Sequence, residues 1–262
     1  MADTKTVLIT GASSGIGLEL ARIFASKGCN LVIVSRNVIE LSRLKSELVE
    51  KHKIYVEEIE KDLSVPGAAK QVYDEVKSLS FEIDYLINNA GFGDFGEFHK
   101  SSWEKQERMM NLNMLALTHL THLFLQDMVK RGSGKIMNVA STAAFQPGPL
   151  MSVYYASKAY VLFFSEAIAN ELEGTGITVT ALCPGPTKSG FQKAANMEKS
   201  GLVKEKNMPD SKKVAMYGYK AMMKGKRVAV QGLVNKEIAF FSRRVPKGMV
   251  LKAARKVNEE KK

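Results

Sequence analysis

Cysteine is scarce in this chain, which has only Cys29 and Cys183 among its 262 residues. Both lie in apolar, strand-like segments, a setting typical of buried thiols in a reducing compartment. No pair of cysteine or histidine residues has the spacing of metal ligands, so we expect no metal site.

Long hydrophobic runs are also absent. No apolar stretch approaches the roughly 20 residues that a membrane-spanning helix needs, and residues 1–10 lack the basic segment and apolar run of a secretory signal. We therefore expect a cytoplasmic protein, at most peripheral to a membrane. The composition, 45% hydrophobic and 25% charged, is that of an ordinary globular protein. Because no linker divides the first 185 residues, we predict a single domain over residues 1–262.

Acidic residues become scarce in the last quarter of the chain. Residues 199–262 carry 18 Lys and Arg against 5 Asp and Glu, a net of +13, whereas residues 1–198 carry 20 against 22. Such a segment is most often a solvated basic face, but it could also attract an anionic ligand or a phospholipid surface. No nucleic-acid-binding motif accompanies the charge, so we expect no nucleic-acid partner.

Short runs rich in valine and isoleucine alternate along the chain with longer segments of helical periodicity. The predicted strands are residues 6–10, 31–35, 54–59, 85–88, 135–140 and 178–183, with a weaker seventh at 228–231. The predicted helices are residues 16–27, 38–52, 102–130, 154–172 and 211–224, with two short ones at 235–242 and 247–256. This alternation indicates an α/β fold of the Rossmann type, a doubly wound parallel sheet of about seven strands with helices on both faces.

Two regions outside this pattern differ in composition. Residues 185–226 are polar and basic, and a long excursion of this kind often forms a substrate loop. The tail at residues 233–262 mixes large apolar side chains with Lys and Arg. That mixture is typical of a segment that lies on an anionic membrane, and equally of a subunit contact.

A glycine-rich turn joins the first strand to the first helix, with the sequence Gly11-Ala12-Ser13-Ser14-Gly15-Ile16-Gly17. Glycine permits positive φ and close backbone approach, and a helix N-terminus offers free N–H groups to a pyrophosphate. The context of strand, turn and helix therefore predicts a dinucleotide site.

The end of the second strand favours NADP(H) over NAD(H). Enzymes that use NAD place an Asp or Glu about 20 residues after the glycines to hold the ribose hydroxyls. Here Ser35 and Arg36 occupy that place, so no carboxylate repels a 2′-phosphate and a guanidinium can bind it.

A candidate catalytic set lies in and before the helix predicted at residues 154–172. Tyr154 and Lys158 are four residues apart and share one helix face. A nearby ammonium favours the phenolate and would lower the tyrosine pKa from about 10. Ser141 ends the preceding strand, at the edge where ligands bind in such sheets.

With these motifs in place, the chain resembles the short-chain dehydrogenases/reductases over about residues 5–190. Asp62 after the third strand matches the position that contacts adenine, Asn88-Asn89-Ala90-Gly91 matches the motif that borders the cofactor, and Pro184-Gly185-Pro186-Thr187 matches the turn beside the nicotinamide. The cofactor-binding residues expected from the motifs are Gly11, Ser13, Ser14, Gly15, Ile16, Gly17, Ser35, Arg36, Asp62, Leu63, Asn89, Ala90, Gly91, Tyr154, Lys158, Pro184, Gly185 and Thr187.

The resemblance implies a reduction of a ketone or aldehyde to an alcohol with NADPH. In that reaction Tyr154 donates the proton, Lys158 holds the nicotinamide ribose, Ser141 polarises the carbonyl, and Asn111 holds a water that relays protons to Lys158. One departure concerns Asn111, because many relatives have glycine three residues later, where this chain has Met114. The resemblance also implies a homodimer or homotetramer.

Two other functions compete with this interpretation. A non-catalytic NADP-binding sensor or scaffold would be expected to lack the tyrosine, lysine or serine, and all three are present. A basic nucleic-acid-binding domain is prompted by the C-terminal charge alone.

Overall fold

The structure, a computed structural model, describes residues 4–195, 197, 208–242 and 244–259, without the side chains of residues 193 and 194. Residues 196 and 198–207 of the predicted substrate loop lie outside the described residues. So do residues 243 and 260–262 of the basic tail.

Seven parallel strands form one sheet in the order β3-β2-β1-β4-β5-β6-β7. The strands are β1 (Thr6–Thr10), β2 (Asn30–Ser35), β3 (Val56–Glu60), β4 (Tyr85–Asn88), β5 (Gly134–Val139), β6 (Ile177–Cys183) and β7 (Val228–Val230). Every predicted strand is present, with ends shifted by up to two residues. The predicted doubly wound α/β fold is therefore confirmed.

Helices cover both faces of the sheet. They are α1 (Gly15–Ala25), α2 (Val38–His52), α3 (Ala68–Ser78), α4 (Trp103–Met110), α5 (Leu117–Arg131), α6 (Ser152–Glu171), α7 (Phe191–Ala194), α8 (Ser211–Met223), α9 (Leu233–Phe241) and α10 (Lys247–Asn258). A π turn, Asn111–Ala116, joins α4 to α5.

Successive residues of β1 pack against the helix layers on opposite faces of the sheet. All five of its residues are buried, and side chains alternate between the faces of a strand. Val7 and Ile9 pack into a cluster with α1, α2 and α8, whereas Leu8 packs into a second cluster with α3, α5 and α6. Strands covered on both faces carry the continuous apolar runs that the sequence shows.

Three features of the helices differ from the sequence prediction. Helix α3 was not predicted: its N-cap is Gly67, which offers no side-chain cap, and the helix buries only Ala68, Ala69, Val72 and Val76. The four-residue helix α7 was not predicted either. The single helix predicted over residues 102–130 is two helices with the π turn between them. Turns of this kind occur often at functional sites.

Strand order reverses between β1 and β4, since β2 and β3 extend one way from β1 and β4 to β7 extend the other. In open α/β sheets, ligands bind outside the carboxyl ends of the strands at such a reversal. This edge of the sheet is where the predicted motifs converge.

Candidate active site

A cleft of about 660 Å³ lies at this edge of the sheet. Its lining includes all but two of the residues predicted to bind cofactor or act in catalysis, the exceptions being Gly17 and Asn111. Residues from the glycine turn line one part of the cleft, and Ser141, Tyr154 and Lys158 line another.

The turn between β1 and α1 is built by glycines in two ways. Gly11 and Gly15 have positive φ, 67° and 57°, which lets the chain fold tightly above the strand. Gly17 instead allows α1 to pack closely against the turn, because a Cβ there would lie 2.3 Å from the backbone oxygen of Gly11. Ser14 is the N-cap of α1 and its side chain makes no capping hydrogen bond, so the helix N-terminus keeps donors for an anion.

Hydrogen bonds fix this turn to the end of β4. Asn89 donates its side-chain amide to the carbonyls of Thr10 (2.9 Å) and Gly11 (3.1 Å). In return, the backbone N–H groups of Asn89 and Ala90 both donate to the Thr10 hydroxyl at 3.0 Å. The segment Asn88–Gly91 thus holds the glycine turn across the point where the strand order reverses.

Polar groups at the ends of β2 and β3 form the side of the cleft expected to hold the adenosine. The hydroxyls of Ser13 and Ser35 are 2.8 Å apart. Arg36 is largely exposed, and its guanidinium lies 3.7 Å from a carboxylate oxygen of Asp62. Burial opposes ionisation of Asp62, but hydrogen bonds from Ser64 together with Arg36 and Arg108 hold its pKa below the usual value.

Helix α6 carries Tyr154 and Lys158 into the cleft. The Lys158 ammonium lies 5.8 Å from the centre of the Tyr154 ring and donates to the carbonyl of Val139 at 2.8 Å. Ser141 follows β5 and is the N-cap of a short 3₁₀ turn. Its hydroxyl accepts from the backbone N–H of Ala143 at 3.1 Å, and Ser141, Tyr154 and Lys158 all line the same cleft.

Burial sets the protonation of the pair. Desolvation raises the pKa of Tyr154 well above its usual value of 10, and the hydrogen bond with Ser141 offsets only part of the rise. Desolvation lowers the pKa of Lys158 from 10.5 to about 8. The sequence argument expected the lysine to lower the tyrosine pKa, but in the protein alone burial is the larger effect, so the phenol stays protonated at neutral pH.

Asn113, rather than Asn111, lies beside Lys158. Asn113 is fully buried, and its amide accepts from the N–H of Phe92 (3.1 Å) and donates to its carbonyl (2.9 Å) and to the Ser157 hydroxyl (3.1 Å). A Cβ on Gly91 would lie 3.0 Å from Asn113 Oδ1 and 3.3 Å from Lys158 Nζ, so both side chains flank the same point.

The sequence contained a signal for this choice. The residue three positions after Asn113 is Ala116, a small residue like the glycine of many relatives, whereas Met114 follows Asn111 at that spacing. Asn111 is only half-buried and lies outside the cleft lining. We therefore propose that Asn113, rather than Asn111, has the proton-relay role that the resemblance implied for Asn111.

The remaining part of the cleft is apolar and uses elements far along the chain. Met151, Tyr155, Phe191 and Met197 lie on one side of it. The other side is formed by residues of α9 and α10 that sequence reasoning did not assign to the site: Val234, Asn235, Ile238, Ala253, Ala254, Val257 and Asn258.

Asn258, the last residue of α10, anchors this helix to the catalytic helix. It is fully buried, donates to the carbonyl of Pro149 at 2.8 Å, and accepts from the Tyr155 hydroxyl at 3.3 Å. Tyr155 is the neighbour of Tyr154, and their rings meet edge to face at 6.1 Å.

Two other kinds of site are absent from the described ranges. No cluster of three or more His, Cys, Asp or Glu residues there could hold a metal ion. No helix among those residues has both the length and the apolar character to cross a membrane.

Comparison with known proteins identifies the family. The profile of the family described as short chain dehydrogenase matches residues 5–200. The chain is 36% identical over 181 residues to the ketoacyl reductase HetN of Nostoc sp., covering 69% of this chain and 63% of that protein. It is 32% identical over 183 residues to the human very-long-chain 3-oxoacyl-CoA reductase, covering 68% of this chain and 57% of that protein. The chain thus spans less than two thirds of either relative.

A solved structure shows the same architecture over nearly the whole chain. The short-chain dehydrogenase from Sphingobium yanoikuyae in complex with NADPH superposes with a TM-score of 0.83 at 32% identity, covering 94% of each chain. This chain belongs to the short-chain dehydrogenase family.

The residues present fit the nicotinamide dinucleotide that this family binds. The uncapped N-terminus of α1 can receive a pyrophosphate, and the positive φ of Gly11 and Gly15 gives the turn the conformation that leaves these backbone N–H groups at the cleft.

Proposed function

We propose that this protein is an NADPH-dependent reductase that converts an apolar or acyl-type ketone or aldehyde to the alcohol. One observation carries the proposal: Ser141, Tyr154 and Lys158 meet at one end of a cleft whose other end is the glycine turn. The cofactor, when bound, supplies the hydride to the carbonyl carbon.

The side chains of this protein would supply the proton and the electrostatic stabilisation. Tyr154 gives its proton to the carbonyl oxygen, and because burial raises the pKa of its phenol, the group carries that proton at neutral pH. Ser141 donates a hydrogen bond to the same oxygen as charge develops on it. Lys158 binds the nicotinamide ribose and returns a proton toward Tyr154.

Asn113 takes the relay position in this proposal. Its side-chain amide is already used by Phe92 and Ser157, so a relay water would be held by the main chain of the π turn. The widened turn and the buried amide together keep that backbone beside Lys158.

The preference for NADPH rests on the end of β2. Arg36 is exposed at the rim, and no carboxylate stands in the position where NAD-dependent enzymes place one. Asp62 nearby is held by Arg108 at 2.7 Å, so Arg36 can turn toward a 2′-phosphate without leaving Asp62 unpaired.

The apolar substrate class is supported by the lining of the cleft and by the relatives. Methionine, phenylalanine, alanine and valine side chains dominate the part beyond Tyr154. Two relatives are named as reductases of ketoacyl or 3-oxoacyl-CoA compounds.

Assembly and location complete the proposal. Exposed Leu115 in the π turn and exposed Tyr160 and Phe163 on α6 form an apolar face suited to a homodimer or homotetramer. We place the protein in the cytoplasm, where NADPH is available. The alternative of a non-catalytic sensor is disfavoured, since the tyrosine, lysine and serine are all present and assembled.

The decisive experiment compares Tyr154→Phe with the wild type. We expect the wild type to bind NADPH, observed by fluorescence, and to oxidise it with members of a panel of ketones, aldehydes and acyl thioesters. The variant loses the proton donor and should lose at least about a thousandfold in turnover, while its affinity for NADPH stays within about threefold. Loss of cofactor binding, or retained turnover, would show that Tyr154 has another role.

Arg36→Ala tests the cofactor preference. Removing a charged partner of the 2′-phosphate should weaken NADPH binding by about tenfold to a hundredfold and leave NADH binding almost unchanged. Titration of both nucleotides with both proteins gives the answer. Equal weakening of the two would exclude a contact with the 2′-phosphate.

A further inference from the structure

Helices α9 and α10 expose an unusual amount of apolar side chain. Leu233, Phe240 and Phe241 of α9 and Met249 and Leu251 of α10 all face solvent, with Leu233 76% and Met249 63% exposed. We call these five residues the outer apolar surface. Ala239 is the only buried residue of α9. Most of the apolar surface of this helix, which a helix normally packs against the core, is therefore exposed to solvent.

The helices that carry the outer apolar surface also line the mouth of the cleft. Val234 and Ile238 of α9 and Val257 of α10 line the cleft and are also 68%, 42% and 47% exposed. These three residues therefore belong both to the lining of the cleft and to the exposed apolar side chains of α9 and α10.

Positive charge surrounds the same surface. Residues 233–258 contain seven Lys and Arg and one acidic residue, Glu237. Within the described part of the chain, Lys236, Lys247 and Lys252 are exposed and form no salt bridge. Arg244 stacks its guanidinium 3.5 Å over the Phe240 ring, so aromatic and cationic groups share one face.

We infer that the outer apolar surface docks on an anionic lipid bilayer, with the mouth of the cleft opening at the bilayer surface. Apolar side chains that enter the headgroup region and cations that meet anionic lipids are the two contributions to interfacial binding. A second copy of this chain fits the surface less well, because two such segments would place like charges against each other.

The consequence for the reaction rests on the proposed reductase function. An apolar carbonyl compound dissolved in the bilayer would enter between α9 and α10 without crossing water, and would reach Tyr154 along the apolar side of the cleft. Binding of the bilayer itself does not depend on the reaction, so the two proposals can fail separately.

The test is co-sedimentation of the full chain with vesicles. We expect binding to vesicles of phosphatidylcholine and phosphatidylglycerol in equal parts, and much less to phosphatidylcholine alone. Phe240→Ser with Phe241→Ser should weaken binding by at least about tenfold. Leu79→Ser with Val129→Ser is the matched control, since both residues are exposed, beside basic residues and at the ends of helices remote from the cleft. It should bind as the wild type does.

NADPH titration of each variant verifies its fold. Absence of wild-type binding to the anionic vesicles, or equal binding by the Phe240/Phe241 variant, overturns the inference. A change in molar mass of that variant without vesicles, measured by light scattering, would assign the surface to a second copy and overturn it as well.

Discussion

Lys158 is a buried cation, and its burial destabilises the folded protein. Only 4% of it is exposed, and among the described residues its ammonium has a single hydrogen-bond acceptor, the Val139 carbonyl. A buried charge with few partners destabilises the folded state, and the lowered pKa measures that cost. We interpret this destabilisation as the consequence of placing a cation where it can contact the cofactor ribose and the Tyr154 phenol.

This burial predicts a pH dependence of stability. The pKa of Lys158 is about 8 in the folded protein against an ordinary value of 10.5, so the unfolded chain binds more protons between these values. The free energy of unfolding should therefore rise with pH in that window, by about 3 kcal/mol relative to Lys158→Met. Below pH 8 the full destabilisation by the buried Lys158 ammonium is present.

Urea unfolding of the cofactor-free wild type and of Lys158→Met, from about pH 7 to about pH 10, measures this effect. The comparison with the variant cancels the titration of other groups. A stability difference that stays constant with pH would mean that Lys158 is hydrated in the cofactor-free protein.

At the residue scale, the sequence predicted functional groups better than their environment. The four-residue spacing of Tyr154 and Lys158 was enough to place them on one face of α6. The direction of the Tyr154 pKa was not predictable, because it depends on burial by residues such as Phe191, whose ring lies 5.3 Å away.

The π turn between α4 and α5 determines which asparagine reaches the site. A regular helix has a fixed periodicity, and a one-residue widening changes the direction of every side chain around it. Helical periodicity alone does not distinguish Asn111 from Asn113. The small residue Ala116, three positions after Asn113, is the sequence signal that does.

Asn113→Ala compared with Asn111→Ala tests this difference. Loss of the Asn113 amide frees the Phe92 backbone and disturbs the turn beside Lys158, so kcat should fall by about tenfold to a hundredfold with a smaller change in KM. Asn111→Ala should retain most of the activity. Steady-state kinetics over a range of pH is the measurement, and a larger loss in Asn111→Ala would restore the original assignment.

Elements at the C-terminal end were the least predictable. Two short helices were predicted at residues 235–242 and 247–256, and both are present as α9 and α10 with ends shifted by up to two residues. Their contribution to the cleft depends on contacts distant in sequence, such as that between Asn258 and Pro149. No local pattern encodes such a contact.

For the molecule as a whole, the alternation of strand and helix patterns in the sequence was sufficient to predict the architecture. The strands of this sheet are apolar because both faces are covered, and the motifs other than Tyr154 and Lys158 follow the ends of strands. The assembly of several copies depends instead on exposed side chains, whose partners no pattern within one chain reveals.

The exposed face of α6 predicts how copies associate. Tyr160 and Phe163 lie three residues apart on one face, and Tyr160 is tied to Thr118 of α5 by a 2.9 Å contact between hydroxyls. In the proposed oligomer, Phe163→Glu would bury a carboxylate in the interface, at a cost on the order of 3 kcal/mol or more, and we expect the variant to be monomeric where the wild type is oligomeric.

Light scattering after size-exclusion chromatography measures this change. Ile39→Glu is a suitable control, because Ile39 is 76% exposed on α2, away from α5 and α6, and should leave the molar mass unchanged. An oligomer that survives Phe163→Glu would place the interface elsewhere.

The anchoring of α10 by Asn258 has a consequence for the order in which the protein matures during translation. Every residue predicted to hold the cofactor precedes residue 188, whereas Ala253, Ala254, Val257 and Asn258 complete the far wall of the cleft. During translation, the residues predicted to hold the nucleotide therefore leave the ribosome before the residues that close the far wall of the cleft. On the proposed function, the substrate part of the site is the last part to be synthesised.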